Sequence, residues 1–189
     1  ADELKRNGCM LVERVNLGRD FGAYKDGLSL IQETFDQVDR IIFMNDSIYY
    51  FPDNLSSVFE QLISDNDFVG LTEVFEHHYH VQSYLLSVGK NVLENKHFQN
   101  YWKNYLPIST RRWSIHKGEV GLTKVITKKA GFSPYIITNA GMLRSHFTSL
   151  KMEDMPGIIE LLPSLFKEDA MTRYKALLDQ RTRDFAVSR

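Results

Sequence analysis

The chain of 189 residues contains a single cysteine, Cys9, and lacks any long hydrophobic run. One cysteine excludes an intramolecular disulfide and a cysteine-based zinc site, and it suits a reducing cytoplasm. The hydrophobic runs fall short of the roughly 20 apolar residues that a membrane-spanning helix needs. Neither sign of charge is in large excess, because the net charge is −1. No field across the whole molecule therefore attracts nucleic acid or an anionic membrane.

What is present is typical of a globular protein. Hydrophobic residues make up 43% of the chain and aromatic residues 12%, which excludes a disordered protein. We expect one main domain over residues 1–150 and a helical C-terminal extension over residues 151–189. The sequence begins without an initiator Met, so we expect a piece of a longer polypeptide.

Strand and helix patterns alternate through the main domain. Strands are predicted at residues 9–15, 41–44, 67–74 and 132–138, and residues 81–88 form a strand or a short helix. Helices are predicted at residues 21–36, after a cap at Asp53 or Asn54, around residues 98–105, between Gly118 and Gly131, and beyond Pro156. The predicted class is α/β, with a mixed sheet flanked by helices and a helical tail.

The apolar residues 41–44 are followed directly by the polar turn Asn45-Asp46-Ser47. Four apolar residues in a row are typical of a strand that is buried on both faces. Ligands bind at the carboxyl ends of strands in open α/β sheets, so we predict that Asp46 follows a central strand and faces a cleft. Its carboxylate is a ligand of the kind that binds Mg²⁺ or Mn²⁺. The alternative is a simple turn, since these residue types are common turn formers.

Two further segments lie where a loop is predicted to lead into a helix. In the first, Gly18 allows a ligand to approach the backbone, while Arg19 and Asp20 supply a phosphate partner and a hydrogen-bond acceptor. In the second, Glu119 follows Gly118 in the predicted first turn of a helix. Both also have a structural interpretation, the first as an ordinary junction and Glu119 as an acid that complements the helix dipole.

Imidazole and cationic side chains form two clusters. Three histidines fall within residues 77–80, but neighbouring side chains diverge in a helix or a strand, so we predict no metal site there. A loop that contacts an acceptor sugar and an ordinary solvated loop both remain open. Arg111 and Arg112 precede Glu119, where they either neutralise a diphosphate leaving group or remain solvated.

In this order, the segments resemble nucleotide-sugar glycosyltransferases of the GT-A fold. In that class an acidic metal-binding turn follows a hydrophobic strand, and a later helix carries the catalytic base; residues 16–18, 41–47 and 119–132 match this order. More closely, GRDFG at 18–22, MNDS at 44–47, DFVGLT at 67–72 and HVQSY at 80–84 resemble the rhamnan synthesis F family. Members of that family are associated with building rhamnose-containing bacterial cell-surface polysaccharides.

The chain departs from the glycosyltransferase pattern at two places. The usual acidic turn has two or three aspartates, whereas Asp46 stands alone here. Val120 occupies the position of the second acid in the usual pair, so Glu119 is the only carboxylate at that place. In addition, the unit that reads the nucleotide base would precede Cys9, and its apparent absence again suggests a longer polypeptide.

The resemblance implies an inverting transfer in which Glu119 deprotonates the acceptor hydroxyl. Asp46, alone or through Mg²⁺ or Mn²⁺, would orient the donor. The implied contacts to the nucleotide-sugar donor are Gly18, Arg19, Asp20, Asn45, Ser47, Arg111 and Arg112. The implied contacts to the acceptor are His78, His80, Gln82 and Trp113.

The expected donor carries rhamnose or another deoxysugar, and the expected acceptor is a saccharide or a lipid-linked molecule. We expect no nucleic-acid partner and a cytoplasmic location, with peripheral association at the inner face of the membrane left open. A non-catalytic carbohydrate-binding or scaffolding domain is the main alternative. A nucleotidyltransferase is a further alternative, but the glycine-rich phosphate loop usual in that class is missing.

Overall fold

The computed structural model describes residues 2–48, 50, 52–75, 78–139, 151–160 and 164–187. The chain divides into two compact units, Ala1–Asn139 and Ala140–Arg189. The division after residue 150 stays a prediction.

The first unit alternates short strands with helices. Its described strands are β1 (Arg40–Met44), β2 (Phe68–Gly70), β3 (Glu73–Val74), β4 (His80–Val81), β5 (Leu85–Gly89) and β6 (Tyr135–Ile136). Its shorter helices are α1 (Asp2–Arg6), α2 (Arg19–Ile31) with the 3₁₀ segment Gln32–Gln37, α3 (Pro52–Leu62), α4 (Lys90–Leu93) and α5 (Lys96–Asn104). A long helix, here called the 111–129 helix, follows. It consists of the α-helical segments Arg111–Trp113 and Val120–Lys124 and of two segments with wider π-helical turns, Ser114–Glu119 and Val125–Lys129.

Four of these strands form a mixed sheet in the order β1-β5-β2-β6, and β3 pairs with β4 in a separate hairpin. Both β1 and β2 run antiparallel to β5, whereas β2 and β6 are parallel. The predicted α/β class and mixed sheet are therefore confirmed. The prediction that the 41–44 strand is central is wrong, because β1 lies at an edge of the sheet among the described residues.

Alternate residues of the strands face two separate cores, as the pleat of a sheet requires. On one face, Phe43, Phe68 and Leu86 pack with an aromatic cluster from α2 and α5. On the other face, Val69 and Leu85 pack with α3. The apolar run at residues 41–44 reflects this arrangement, since helices cover both sides of an edge strand. The sheet therefore carries helices on both faces.

Helix α5 shows how the local sequence sets these elements. The side chain of Asn95 caps its start, accepting a hydrogen bond from the His97 N–H at 2.9 Å. Phe98 and Trp102, one turn apart, are buried against the aromatic cluster. The helix ends at Asn104, before Pro107, as the sequence predicts.

Several predicted boundaries are wrong. Residues 9–15 form no strand. Their apolar side chains are not buried by any described neighbour, since Met10 is 78% exposed and Val15 is 84% exposed. The segment 67–74 contains two strands, β2 and β3, instead of one. The helix expected to start near Gly118 begins at Arg111. Gly131, in contrast, has φ +84° after the last helical segment, as expected for a C-terminal cap.

The second unit is helical where it is described. Met152–Asp154 forms a 3₁₀ turn, and α-helices follow at Met155–Glu160 and Ser164–Val187. Lys167 Nζ lies 3.1 Å from Glu160 Oε2. The predicted helical tail is confirmed over these residues. Across the described residues of both units, no helix has the length and apolar character to cross a bilayer.

Candidate functional site

A cavity of about 680 Å³ lies where the start of α2, the turn after β1, the β3–β4 hairpin and the 111–129 helix meet. It is lined by Asp20, Asn45, Ser47, Val74, His80, Gln82, Ser83, Tyr84, Arg111, Ile115 and Glu119. Of these lining residues, Arg111 is the only lysine or arginine. Cavities of roughly 300–1,000 Å³ are typical of small-molecule sites.

Glu119 is held in this cavity through one of its two carboxylate oxygens. Its Oε1 accepts hydrogen bonds from the Ser83 N–H at 3.2 Å and the Ser83 hydroxyl at 2.8 Å. Its Oε2 lies 3.6 Å from His80 Nε2, and within the described part of the chain it accepts no hydrogen bond. The side chain is 13% exposed. Ser83 therefore fixes the orientation of Glu119, and Oε2 faces His80.

The turn after β1 contacts the start of α2 directly. Asn45 Nδ2 donates a hydrogen bond to Asp20 Oδ2 at 2.9 Å, and Asn45 Oδ1 accepts one from the Ser47 N–H at 3.0 Å. The Asn45 N–H donates to the Tyr84 carbonyl at 3.1 Å. Asn45 thus joins two of the segments singled out in the sequence to the turn that leads into β5.

Tyr24 lies beneath this junction and donates a hydrogen bond from its hydroxyl to the Ser83 carbonyl at 2.9 Å. Burial raises the pKa of the Tyr24 phenol, and the negative charge of Asp20 raises this pKa further. Glu119 and Asp46 contribute in the same direction. The phenol therefore stays protonated and keeps donating to the segment that holds Glu119.

Two side chains of the 111–129 helix, one turn apart, bind the segment 81–83. Thr123 Oγ1 accepts a hydrogen bond from the Val81 N–H at 3.0 Å, and Glu119 accepts both of the Ser83 hydrogen bonds. Thr110 caps the helix start, because its Oγ1 accepts a hydrogen bond from the Trp113 N–H at 3.2 Å. These contacts fix the rotation of the helix relative to the cavity.

Gly118 precedes Glu119 and packs directly against the ring of Phe21. A β-carbon added at Gly118 would lie 2.7 Å from ring atoms of Phe21. Gly118 is therefore a point of close approach between the helix and α2, instead of the helix start that the sequence suggests.

We expect Gly118→Ala to destabilise the protein by about 1–3 kcal/mol, because overpacking of a core contact outweighs the better helix propensity of Ala. Urea unfolding measures this difference. The matched control is Gly27→Ala in α2, where an added β-carbon meets nothing within 4 Å. The control should gain up to about 1 kcal/mol. Equal effects of the two substitutions would contradict the contact with Phe21.

The structure brings together a large part of the predicted site and leaves some residues apart. Asp20, Asn45, Ser47, His80, Gln82, Arg111 and Glu119 share the cavity. The prediction that Glu119 lies in the first turn of a helix that begins near Gly118 is wrong, because the helix begins at Arg111, yet the side chain lies in the same cavity as Asn45 and Ser47. Glu119 is thus presented from the body of a helix instead of its N-terminus.

Other predicted contacts lie outside the cavity lining. Gly18 donates its N–H to Ser109 Oγ at 2.9 Å, and Arg19 Nε donates to the Ser109 carbonyl at 3.3 Å. Arg112 and His78 are exposed. Trp113 lines a separate cavity of about 540 Å³, where its indole N–H donates to the Leu106 carbonyl at 2.8 Å.

Asp46 is exposed and follows an edge strand, and it is not among the residues that line the cavity. Its neighbours Asn45 and Ser47 do line it. Within the described residues, no three His, Cys, Asp or Glu side chains are arranged to hold a metal ion. His77 lies outside the described residues. A divalent cation at Asp46 stays a prediction.

Ser83 and Tyr24 are site residues that the sequence analysis missed. Ser83 is part of the HVQSY segment, but its two hydrogen bonds to Glu119 join residues that are 36 positions apart. Tyr24 falls on the apolar stripe of α2, so its position predicts packing and does not predict the hydrogen bond that its hydroxyl donates. No local pattern identifies either contact.

Comparisons with known proteins identify bacterial relatives of this chain. The chain is 28% identical over 120 residues to Uncharacterized protein y4gN of Sinorhizobium fredii (strain NBRC 101917 / NGR234), a match that covers 61% of this chain and 31% of the relative. It is 36% identical over 78 residues to Virulence protein VirA of Vibrio anguillarum (strain ATCC 68554 / 775), covering 40% of this chain and 24% of the relative. The chain thus spans about a third or less of the length of these curated relatives. No solved structure matches it.

The model of the family described as Rhamnan synthesis protein F matches residues 2–167. This match includes every element that surrounds the cavity, from the start of α2 to the 111–129 helix. The chain therefore belongs to the rhamnan synthesis protein F family.

Proposed function

We propose that this chain forms part of a glycosyltransferase that moves a sugar from a nucleotide-sugar donor to a saccharide or lipid-linked acceptor during polysaccharide assembly. The observation that carries the proposal is the state of Glu119, whose Oε1 is fixed by Ser83 while Oε2 accepts no hydrogen bond from the described residues. A structural carboxylate would normally have both oxygens paired. Membership of the rhamnan synthesis protein F family supports the same reaction class.

In the proposed reaction, Glu119 Oε2 takes the proton of an acceptor hydroxyl. The hydroxyl oxygen then forms a bond to the anomeric carbon of the donor, and the bond from that carbon to the diphosphate breaks. The bonding electrons leave on the diphosphate oxygen. General-base catalysis of this kind contributes about 10²–10⁴-fold.

Arg111 is the residue best suited to stabilise the departing diphosphate. It lines the same cavity as Glu119, two helical turns earlier on the 111–129 helix. A guanidinium group binds phosphate oxygens in a bidentate manner and stays charged at every working pH. The carboxylate of Asp20, oriented by the Asn45 amide, lines the same cavity and can accept hydrogen bonds from hydroxyl groups of the donor sugar. No step of the proposal depends on a metal ion.

The test is release of nucleoside diphosphate by the purified protein, supplied with dTDP-rhamnose and a rhamnose-containing oligosaccharide. We expect Arg111→Ala to reduce turnover by about 10²-fold, as removal of one group that stabilises transition-state charge does. The control Lys124→Ala removes an exposed cation from the same helix, away from the cavity. Its turnover should match that of the unmodified protein.

A non-catalytic carbohydrate-binding domain would give a different result. Such a protein would bind the oligosaccharide with no release of nucleoside diphosphate, and Arg111→Ala would alter binding only. That outcome would replace the proposed transfer with a binding role.

A further inference from the structure

His80 is a buried titratable residue next to Glu119, and it has no role in the transfer steps of the proposed function. Its ring is 4% exposed, and its Nε2 faces Glu119 Oε2 at 3.6 Å. From the sequence, His80 is expected to contact the acceptor. In the structure, its Nε2 lies 3.1 Å from the Gln82 amide nitrogen and 3.6 Å from the carboxylate of Glu119.

The hydrogen bonds of His80 determine which ring nitrogen carries the proton. Nδ1 lies 2.7 Å from the His78 carbonyl, and a carbonyl oxygen only accepts hydrogen bonds. Nδ1 must therefore carry a hydrogen. In the neutral ring, Nε2 then holds the lone pair, and the Gln82 amide nitrogen at 3.1 Å is placed to donate to it.

Two proton acceptors therefore lie close together, His80 Nε2, whose lone pair accepts from the Gln82 amide, and Glu119 Oε2. Their separation of 3.6 Å is longer than a hydrogen bond. A single proton added to the pair would bond to one atom and be shared with the other.

On the basis of the proposed transfer reaction, we propose that His80 is a positioning residue. It accepts, through Glu119, the proton that the acceptor hydroxyl loses. The proton first moves from the hydroxyl to Glu119 Oε2 as the new glycosidic bond forms. It then moves from Oε2 to His80 Nε2, which leaves an imidazolium beside a carboxylate. The arriving proton displaces the Gln82 N–H from the Nε2 lone pair, the new Nε2–H faces the Glu119 carboxylate, and the proton finally returns to water.

The fold holds His80 in place for this task. β4 is paired with β3, where His80 lies opposite Val74, and the next residue, Val81, is bound to Thr123 of the 111–129 helix. Arg111 and Glu119 line the cavity from that helix, and Asp20 lines it from α2. Two separate contacts with the 111–129 helix therefore hold the imidazole and the carboxylate, Thr123 through Val81 and Glu119 through Ser83.

One arm of the test uses the unmodified protein without substrate. Nitrogen-15 NMR of the His80 ring should show a protonated Nδ1 and an unprotonated Nε2 in the neutral form. The opposite tautomer would overturn the proposal, whatever the protein's activity.

The second arm measures transfer by His80→Ala with added imidazoles of graded basicity. We expect turnover to fall by about 10²-fold, with little change in the KM of the donor, and to recover as the basicity of the added imidazole rises. A merely structural role would give recovery that is independent of basicity, and this would overturn the proposal. His97→Ala, an exposed histidine of α5, is the control and should retain full turnover.

The two arms separate the inference from the proposed function. If the unmodified protein and Glu119→Gln are equally inactive with every sugar donor, the transfer reaction fails and the inference fails with it. If the unmodified protein is active, Glu119→Gln is inactive and His80→Ala is unaffected, only the inference fails.

Discussion

Glu119→Gln should lower turnover by at least about a hundredfold while the affinity for the donor changes little. The substitution keeps the size of the side chain and leaves an amide oxygen that can still accept the hydrogen bonds from Ser83. It removes the ability to take a proton. The kinetic measurement is kcat and KM for the nucleotide sugar, together with a thermal unfolding midpoint close to that of the unmodified protein.

The control for this variant is Glu94→Gln, which changes an exposed carboxylate outside the cavity. It should have normal turnover. Normal turnover in Glu119→Gln would remove Glu119 as the base and leave the non-catalytic binding role as the better explanation of the cavity. A loss of turnover accompanied by a much lower unfolding midpoint would instead indicate a structural role for this carboxylate.

Phe21→Ala should have the largest effect on stability, a loss of about 3–5 kcal/mol in the free energy of unfolding. Phe21 is 1% exposed. Its ring stacks on Trp102 at a centroid distance of 5.8 Å and lies 5.6 Å from the ring of Tyr105. Gly118 packs against the same ring. The loss would be a large fraction of the total stability of a domain, which is about 5–15 kcal/mol.

Urea unfolding followed by tryptophan fluorescence measures this loss, because Trp102 reports on the same cluster. Phe75→Ala is a control of the same chemistry at a side chain that is 67% exposed. It should change stability by about 0.5 kcal/mol or less. A small effect of Phe21→Ala would mean that the aromatic cluster is not the main core of the first unit.

The sequence predicts the elements near the site better than it predicts their neighbours. The apolar run at residues 41–44 correctly indicates a strand with helices on both faces, since Ile42 and Phe43 pack into different cores. Its place at the edge of the sheet depends on pairing with β5, whose Gly89 lies opposite Arg40. Such a non-local pairing leaves no trace in the local pattern.

The sequence predicts that Glu119 starts a helix and faces the turn after β1; in the structure it shares a cavity with Asn45 and Ser47 of that turn, whereas Asp46 is not among the lining residues and the helix starts earlier. Gly118 suggests a helix boundary, but its missing side chain serves the contact with Phe21. The better signal was Thr110, a side chain of the type that caps helices. The contact with Ser83 could not be predicted, because it requires the β3–β4 hairpin to pack on the helix in one register.

The way in which segment 81–83 is bound has a consequence for observing the protein in solution. The amide hydrogens of Val81 and Ser83 are donated to the side chains of Thr123 and Glu119 instead of to backbone carbonyls. Their exchange with deuterium therefore depends on the position of those side chains as well as on opening of the hairpin. When Glu119 turns away from Ser83, the amide of Ser83 loses its acceptor while that of Val81 keeps its own. The ratio of the two exchange rates is thus a measure of how often the carboxylate leaves its place.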